Sequence, residues 1–447
     1  MAERKLTVGI YSEPTVNFIL NGEYILDSQV YTGEHTATYQ DGKVLFESKV
    51  YDELVFEGVR GDGSVAPSFT LIGVTIGVNF HWQRREDQTF LGDLKIIAGY
   101  DKVLNSKAGL IAINVIDVED YLVSVISSEM SATSSFELLK AHAVTSRSWL
   151  LHPILNPHIH EPQQVPNDES DERIVWYERD AHTLFDVCAD DHCQRYQGIT
   201  KQTSDNVQKA IDETRGLVIV SNDNGEVCDA RFYKACGGVT EVFENCWADE
   251  HFSYLEPVLD YRQDTQAPAQ TPPDLTNEEQ AERWIRTSPD AFCNTNDRRI
   301  LQQVLNDYDQ ETTDFYRWQV EYKQDELSEL VKTRSGIDFG TITDLLPIKR
   351  GPSARLYQLK VVGTKRTMVI GKELEIRKWL SPSHLYSSAF VVDKLMVDGD
   401  VIFRLTGAGW GHGVGLCQIG AAVMADKGFT YKQILEHYFP NTMLRGL

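Results

Sequence analysis

Hydrophobic and polar residues alternate through the first quarter of the chain, which is typical of half-buried β-strands. The clearest segments are rich in β-branched residues; they are Leu6–Ile10, Val16–Leu20, Phe69–Ile76 and Leu94–Ala98. Turn signals lie beside or between such segments; they are Asn21-Gly22, Asp41-Gly42 and Asp62-Gly63. The pattern therefore predicts a β-rich region over residues 1–115.

A helical period replaces this alternation further along the chain. One helix is predicted from about Val118 and a second from Ser135 to about Leu151. Side chains at three- and four-residue steps form one face of the second helix; they are Phe136, Leu139, Ala143, Arg147 and Leu150. Ser134 and Glu137 have capping-box spacing, which predicts Ser134 as the N-cap. Arg147 falls on the apolar face, so it is either a scaffold residue or held for a polar ligand.

Four regions are predicted from these changes of pattern. Residues 1–115 are the β-rich region, and residues 116–257 are the first part of a core that carries candidate chemistry. Residues 258–335 are polar, with helical patterning at Thr276–Ile285 and Arg298–Leu305, and are expected to form an inserted lid or subdomain. Residues 336–447 return to short strands and complete the core. The fold class expected is α+β, with mixed, mostly antiparallel sheets and packed helices.

Composition narrows the range of partners. The 447 residues carry a net charge of −23, which opposes general binding to nucleic acid or to an anionic membrane. No apolar run is long enough for a transmembrane helix. The first residues lack the apolar stretch of a secretory signal, so we expect either a cytoplasmic protein or one from which an export signal has been removed.

The strongest metal signal combines two imidazoles and two thiols within a short segment. Its spacing is His182-x5-Cys188-x3-His192-Cys193. Sulfur and imidazole ligands favour a tetrahedral zinc-like ion, and four protein ligands leave no open position, so the predicted site is structural. The alternative is buried cysteine with surface histidine. The chain has 7 cysteines, and their number and low density favour metal binding or buried thiols over a disulfide framework.

A glycine-rich segment near the C-terminus, Gly407–Gly420, has six glycines around Trp410, His412, Cys417 and Gln418. Such a density of glycine is typical of backbone that takes positive φ or is approached closely by a ligand or a second backbone. The spacing excludes the common phosphate-binding loops. We expect either a site wall carrying Trp410, His412 and Gln418, or a turn that only packs tightly.

Five segments, in this order, resemble the stage II sporulation protein D (SpoIID/LytB) family. They are Asp117–Ser131 with its Ser-Glu-Met motif, Leu139–Trp149, Phe185–Tyr196, Tyr233–Thr240 and Gly409–Ala421. The chain departs from the pattern at Gly415-Leu-Cys-Gln-Ile-Gly420, where many relatives read Gly-Met-Ser-Gln-Tyr-Gly, and at Tyr233-Lys-Ala-Cys-Gly, which replaces a Tyr-Ser-Ser-Gly-like segment.

This resemblance implies lytic cleavage of peptidoglycan glycan strands, preferentially those stripped of stem peptides. It assigns the catalytic carboxyl group to Glu129 and the metal ligands to His182, Cys188, His192 and Cys193, with zinc as the expected structural ion. Arg147, Tyr233, Trp410, His412 and Gln418 are expected to contact the substrate. A glycan substrate implies the periplasm or the cell surface.

Rival interpretations remain open at this stage. The family also implies a wall-binding module without catalytic activity that stimulates a cell-wall amidase. A catalytic metal assisted by His412 is a third possibility. A nucleophilic pair of Cys417 and His412 is the weakest, because their spacing in a glycine loop does not fix how they face each other.

Overall fold

The structure is a computed structural model. It describes residues 4–447 apart from 61–65, 77–83, 102, 105–106, 132–133, 157–169, 178–181, 191, 202–203, 267–269 and 305–313. Internal contacts divide the chain into two compact units. Unit 1 comprises Met1–Ala132, Asp180–Arg215 and Leu447, and unit 2 comprises Thr133–Arg179 and Gly216–Gly446.

Unit 1 is built on one large sheet. Its described strands are β1 (Lys5–Glu13), β2 (Thr15–Leu26), β3 (Gln29–Gln40), β4 (Lys43–Phe46), β5 (Lys49–Tyr51), β6 (Glu53–Gly58), β7 (Ser68–Ile76), β8 (Arg84–Leu91), β9 (Asp93–Gly99), β10 (Gly109–Asp117) and β12 (Val187–Cys188). The strands run in the order β12-β1-β10-β9-β6-β2-β3-β4-β5, with β7 paired to β2 and β8. Every pairing is antiparallel except that of β1 with β12. All four predicted strand segments fall inside these strands.

Alternating burial explains why this sheet forms. Along β2, Val16, Phe18 and Leu20 are buried while the residues between them are partly or fully exposed. Phe18 then packs against Phe46 and Phe56, with ring centroids 6.3 and 5.3 Å away. Burial of such aromatic side chains is a main source of stability for a β-sheet core.

The three predicted turns have different outcomes. Asp41-Gly42 joins β3 to β4 with positive φ at both residues (48° and 81°), as a two-residue hairpin turn requires. Asn21-Gly22 instead lies inside β2, where Gly22 has φ of 133° and the register with β3 shifts. The turn predicted at Asn21-Gly22 is therefore wrong, because the glycine lies at an irregularity within the strand. Asp62-Gly63 lies outside the described residues.

Two helices and one short 3-10 helix complete the described part of unit 1. They are α1 (Val118–Glu129), α3 (Asp205–Glu213) and the 3-10 helix Gly198–Lys201. Helix α1 begins where predicted, because the Asp117 side chain accepts a hydrogen bond from the N–H of Glu119 and caps the helix. It ends at Glu129, and Met130 follows as a buried C-cap residue.

Unit 2 combines four small sheets with helices. Its described strands are β11 (Glu172–Ile174), β13 (Leu217–Ser221), β14 (Phe232–Tyr233), β15 (Arg317–Lys323), β16 (Ile342–Arg350), β17 (Leu356–Gly363), β18 (Thr367–Gly371), β19 (Phe390–Val397), β20 (Asp400–Ala408), β21 (Leu416–Cys417) and β22 (Thr442–Gly446). They form the sheets β11-β18-β17-β16, β15-β20-β19, β13-β22 and the parallel pair β14-β21.

The described helices of unit 2 are α2 (Phe136–Leu155), α4 (Glu278–Arg286), α5 (Arg298–Val304), α6 (Gln324–Ser335), α7 (Glu373–Trp379), α8 (Gln418–Asp426) and α9 (Tyr431–Tyr438), with 3-10 helices at Phe243–Asn245 and Ser253–Leu255. The predicted fold class, α+β with mostly antiparallel sheets and packed helices, is confirmed. No helix in the described part of the chain is long and apolar enough to cross a membrane.

The cap of α2 differs by one residue from the prediction. Ser135 is the N-cap, and its hydroxyl accepts a hydrogen bond from the N–H of Leu138. Ser134 instead donates to the carbonyl of Gln303, and the Glu137 carboxylate accepts from the N–H of Tyr431. The capping-box prediction at Ser134 is wrong because both of its side chains make tertiary contacts within unit 2.

Residues of the predicted insertion lie in unit 2. Strand β15 from this segment pairs with β20, and Ala281 and Ile285 of α4 pack in a core with Val391 of β19. The predicted helices at Thr276–Ile285 and Arg298–Leu305 correspond to α4 and α5. Whether the segment 258–335 acts as a lid stays a prediction.

Candidate functional site

His182, Cys188, His192 and Cys193, here called the histidine cluster, come together in unit 1. One ligand atom from each residue lies within 4.8 Å of those from the other three. The Cys193 sulfur is 3.5 Å from His182 Nε2 and 3.5 Å from His192 Nδ1, and the Cys188 sulfur is 3.8 Å from His192 Nδ1. Tetrahedral zinc with ordinary Zn–S and Zn–N bonds holds its ligand atoms about 3.5 to 3.8 Å apart, so the arrangement fits such an ion.

Strand pairing fixes one side of the histidine cluster. Cys188 ends the short strand β12, which runs parallel to β1 with Gly9 opposite Cys188. Gly9 also lies against the Phe185 ring, where an added Cβ would meet ring atoms at 2.6 Å. Phe185 and Cys188 in turn pack with Ile111 and Ile113 of β10. The sheet therefore supports the segment that supplies the four ligands.

Asp101 orients one of the imidazoles and has no counterpart in the predicted set. Its Oδ2 lies 2.9 Å from His182 Nδ1, while Oδ1 accepts hydrogen bonds from the N–H groups of Val103 and Leu104. A carboxylate can only accept, so Nδ1 carries the hydrogen and Nε2 is left to face Cys193. Carboxylates commonly hold metal-binding histidines in this way.

Electrostatic contacts within the histidine cluster set the charge of its thiols. Hydrogen bonds from Cys188, His182 and His192 lower the pKa of Cys193 well below its usual value, although burial opposes this. The same contact with Cys193, together with burial, raises the pKa of Cys188. Burial lowers the pKa of His182, but hydrogen bonds with Cys193 and Asp101 outweigh it and raise the pKa. Cys193 is thus the thiol of the pair that ionises more readily, and the thiolate is the form that binds metals.

Glu129, the predicted catalytic residue, is the last residue of α1 in unit 1. Its side chain is half-buried, whereas Ser128 before it and Met130 after it are buried. No hydrogen bond or ion pair links its carboxylate to another described residue of unit 1. The carboxyl group is therefore held at the end of a packed helix, without a hydrogen-bond or ion-pair partner among the described residues of that unit.

The glycine-rich segment packs closely against residues 231–241 of unit 2. The N–H of Trp410 donates to Ala235 O at 2.7 Å, and the N–H of Leu416 donates to Arg231 O at 2.9 Å. Alternate glycines have positive φ; they are Gly409, Gly411, Gly413 and Gly415, at 74°, 99°, 88° and 85°. A Cβ on Gly415 would lie 2.2 Å from Arg231 O, so the two backbones meet only because this residue is glycine.

This loop holds His412 through both of its ring nitrogens. Nε2 lies 3.0 Å from the carbonyl oxygen of Phe232, to which it donates, and Nδ1 accepts from the N–H of Val414 at 3.1 Å. Burial, together with the charge of Arg231, lowers the pKa of His412 well below its usual value. His412 is therefore a neutral imidazole with both nitrogens occupied by backbone groups.

Tyr233 and Trp410 lie beside this loop in different surroundings. The Tyr233 ring meets the His412 ring edge-on at 5.2 Å, and its buried hydroxyl has no hydrogen-bond partner among the described residues. Trp410 is partly exposed and lies between Phe315 and Tyr386, with ring centroids 4.7 and 4.6 Å away.

Arg147 and Gln418 are buried. Arg147 is 0% exposed and donates from Nη1 to Leu217 O, and Gln418 is 2% exposed and donates to His142 Nε2 at 3.1 Å. Contact of either side chain with a glycan therefore requires a movement that exposes it. The bond from Arg147 to Leu217 O is a contact within the scaffold of unit 2, and the substrate contact expected of Arg147 stays a prediction.

Two segments of the chain match known sequence families. Residues 106–220 match the family described as stage II sporulation protein, and this segment includes Glu129 and the histidine cluster. Residues 241–415 match a family described as a domain of unknown function, DUF8618. The resemblance seen in the motifs to the stage II sporulation protein D family is thus confirmed for this segment.

Three relatives extend this match along the chain. An uncharacterized protein of Brachyspira hyodysenteriae is 27% identical over 74% of this chain and 67% of its own length. The stage II sporulation protein D of Bacillus subtilis is 23% identical over 74% of each protein. The amidase enhancer of Bacillus subtilis is 25% identical over 72% of this chain, and the matched region covers 40% of the length of the enhancer.

Proposed function

We propose that this protein is a peptidoglycan lytic transglycosylase that cleaves glycan strands stripped of stem peptides. The position of Glu129 carries the proposal. This residue lies within the segment that matches the stage II sporulation protein family, at the end of a helix that is otherwise largely buried. A rigid backbone thus presents one half-buried carboxyl group, and a lytic mechanism can operate with a single such group, whereas glycoside hydrolases use a pair.

The reaction proceeds in two proton transfers. The Glu129 carboxylic acid donates its proton to the oxygen that links C1 of N-acetylmuramic acid to N-acetylglucosamine, and the C1–O bond breaks. The resulting carboxylate takes the proton of the muramyl C6 hydroxyl as O6 bonds to C1. The products are a free N-acetylglucosamine end and a 1,6-anhydromuramyl end, and Glu129 is protonated again without consuming water.

Residues of the glycine-rich loop supply the proposed substrate contacts. Trp410 and His412 are partly exposed, so they are the predicted contacts most open to a glycan. The flat indole of Trp410 suits stacking on a pyranose ring. Tyr233, Gln418 and Arg147 are buried, and they reach the sugar or the lactyl carboxylate only if a movement exposes them.

The histidine cluster holds a structural zinc ion in this proposal. Four protein ligands fill a tetrahedral shell and leave no position for an activated water. The spacing of the ligand atoms and the Asp101–His182 contact support the assignment. Because the substrate is a wall polymer, the protein acts in the periplasm or at the cell surface.

The decisive experiment replaces Glu129 by glutamine, which keeps the shape and removes the acid. Purified protein is incubated with denuded peptidoglycan, and 1,6-anhydromuramyl products are measured by mass spectrometry. We expect the rate to fall about 100-fold or more, since general acid catalysis typically contributes that much. Glu213→Gln is a matched control, because Glu213 is the exposed last residue of α3 in the same unit, and it should keep the full rate. Full activity of Glu129→Gln would refute the assignment.

A second function is favoured by one of the relatives, which is named an amidase enhancer. In that case the chain binds the wall and stimulates an amidase without cutting glycan itself. The same assay separates the two functions. An enhancer releases no anhydromuramyl product from denuded strands, yet it increases the rate at which an added cell-wall amidase releases stem peptides from intact peptidoglycan.

A further inference from the structure

Unit 2 contains a second group of metal-binding side chains, which we call the cysteine cluster. It consists of Cys236, Asp260, Cys293 and Cys417, whose donor atoms lie within 4.8 Å of one another. All four side chains are buried, with exposures of 1% or less. They come from widely separated parts of the chain, so only the folded unit brings them together.

Strand pairing and one loop contact position these four residues. Cys417 ends β21, which runs parallel to β14 with Tyr233 opposite Cys417, and Cys236 follows β14 closely. Cys293 and Asp260 are joined directly, because the N–H of Cys293 donates to Asp260 Oδ2 at 2.9 Å. The cluster thus has two halves, one from the core strands and one from the segment 258–335.

Backbone N–H groups surround the sulfur atoms. Cys417 Sγ accepts from the N–H groups of Cys236 and Gly420, each at 3.4 Å, and Cys236 Sγ accepts from the N–H of Gly238 at 3.3 Å. Cys417 is also the N-cap of α8, where the helix dipole favours negative charge. Such N–H contacts stabilise negative charge on the Cys236 and Cys417 sulfurs, as hydrogen bonds to metal-bound sulfur do.

Asp260 places a carboxylate beside three sulfur atoms in the protein interior. Its Oδ1 accepts a hydrogen bond from the Tyr438 hydroxyl at 2.6 Å. No lysine, arginine or histidine within the described ranges forms an ion pair with it. Burying a carboxylate without a cation is costly, and a bound divalent cation would offset this cost.

Two arginine side chains lie next to the cysteine cluster and bind backbone carbonyls close to Cys236. Arg355 Nη1 donates to the carbonyl of Cys236 at 3.0 Å, and Arg317 Nη1 donates to the carbonyl of Gly237 at 3.1 Å. Three thiolates, one carboxylate and a divalent cation carry a net charge of about −2 by the ordinary charges of these groups. The two guanidinium groups therefore balance the charge of a filled site.

We propose that Cys236, Asp260, Cys293 and Cys417 bind a second divalent ion, zinc, in a closed structural site. Soft thiolates select zinc among the common divalent ions, and four protein ligands complete a tetrahedron. The Cys236 and Cys293 sulfurs are 3.4 Å apart, close to the separation of about 3.8 Å that zinc imposes on two thiolates. The ion fastens the segment 258–335 to strands β14 and β21.

Two other states of these thiols are chemically distinct from this one. A disulfide between Cys236 and Cys293 would leave Cys417 and Asp260 without a metal, and a dry thiol cluster would leave the carboxylate without a cation. Both states predict that unit 2 binds no zinc, so metal content separates them from the proposal.

The first test counts metal ions in the full chain, purified under reducing conditions with zinc supplied and excess removed. Elemental analysis should give two zinc ions per chain for the wild type and one for Cys417→Ser. Serine is a good N-cap residue, so this variant removes the ligand but keeps the start of α8. Cys228→Ser replaces a buried cysteine of unit 2 outside the cluster and should keep both ions.

The second test uses cobalt, whose charge-transfer absorption grows with the number of bound thiolates. The two clusters contain three and two cysteines, so the wild type should show five thiolate–cobalt bonds. The double variant Cys236→Ser/Cys417→Ser should keep the absorption of the two thiolates in the histidine cluster. The double variant Cys188→Ser/Cys193→Ser should keep the absorption of the three thiolates in the cysteine cluster.

Three results would overturn the proposal: a zinc content unchanged by Cys417→Ser, a cobalt signal in the wild type equal to that of the histidine cluster alone, or a Cys236–Cys293 disulfide found by peptide mass analysis in protein purified with zinc. None of these measurements involves glycan cleavage, so they test the cysteine cluster independently of the role of Glu129.

Discussion

The two clusters of metal-binding residues differ in almost every structural respect. The histidine cluster takes all its ligands from residues 182–193, and His192 is exposed. The cysteine cluster takes its ligands from four distant stretches, and all of them are buried. An ion in the first cluster orders a single loop of unit 1. An ion in the second cluster joins parts of unit 2 that are otherwise far apart along the chain.

This difference determines what each ion contributes to stability. A crosslink between distant segments removes more freedom from the unfolded chain than one that closes a short loop. The cysteine cluster should therefore affect the unfolding of a whole unit, whereas the histidine cluster should affect its own loop. Two measurements test this contrast, and a third measures the acid stability of unit 2 with its ligands intact.

The largest effect is expected from removing the ion of the cysteine cluster. Cys417→Ser should lower the free energy of unfolding of unit 2 by about 4 kcal/mol at a free zinc concentration of 1,000 times Kd, because an ion that binds only the folded state stabilises it by mass action. Hydrogen exchange should then speed up across unit 2, including β14 and β21. Cys193→Ser should confine faster exchange to residues near β12.

Cys228→Ser serves as the control for loss of a buried thiol as such. The contrast between the clusters fails if Cys417→Ser and Cys193→Ser have equally local effects. It also fails if Cys228→Ser destabilises unit 2 as much as Cys417→Ser does.

A smaller effect is expected from the Asp101 carboxylate. Asp101→Asn should weaken zinc binding by the histidine cluster about 10- to 100-fold, because the contact that orients His182 becomes weaker. Competition with a chromophoric chelator measures this affinity, and the cysteine cluster should be unaffected. Asp87→Asn is the control, since Asp87 accepts the N–H of Gly73 far along the chain from the ligands. Unchanged zinc affinity in Asp101→Asn would show that His182 needs no such support.

The smallest effect is expected from acid, which acts on unit 2 without removing a ligand. Burial and the charge of Lys234 lower the pKa of His142 to about 3, from 6.5. Between these values the unfolded chain binds the proton and the folded chain does not, so stability falls as pH drops from 6.5 towards 3. The slope from this one group is about 1.4 kcal/mol per pH unit.

His142→Gln should reduce the slope of unfolding free energy against pH by up to that amount, most at the acid end of a denaturant titration from pH 7 to pH 5. His251→Gln is the matched comparison, because His251 is an exposed histidine of the same unit, and His142→Gln should reduce the slope by more. An unaltered slope in His142→Gln would mean that this imidazole takes up its proton in the folded unit.

Sequence predicted the elements and sites that depend on neighbouring residues. The ligands of the histidine cluster lie close together along the chain, so their spacing already indicated a shared ion. Helix α1 and the strands of unit 1 followed from local periodicity in the same way. Cys236, Asp260, Cys293 and Cys417 carry no common spacing, and only the pairing of β14 with β21 and the loop contact at Asp260 bring them together.

Predictions from local sequence were wrong where tertiary contacts bind the same side chains. Ser134 and Glu137 matched a capping box, but Gln303 and the N–H of Tyr431 bind their side chains, and Ser135 became the cap. Asp101 was missed because its turn contacts with Val103 and Leu104 carry no sign that His182 would lie against it.

The order of the cysteine ligands along the chain has a consequence for biosynthesis. Cys417 follows Cys236 by 181 positions, so the ribosome releases the last ligand long after the first. A nascent chain can hold only a partial set of donors, and any ion captured then remains exchangeable. Unit 2 therefore has its full set of ligands only once Cys417 has left the ribosome, and until that moment its exposed thiols are open to oxidation and to mismetallation.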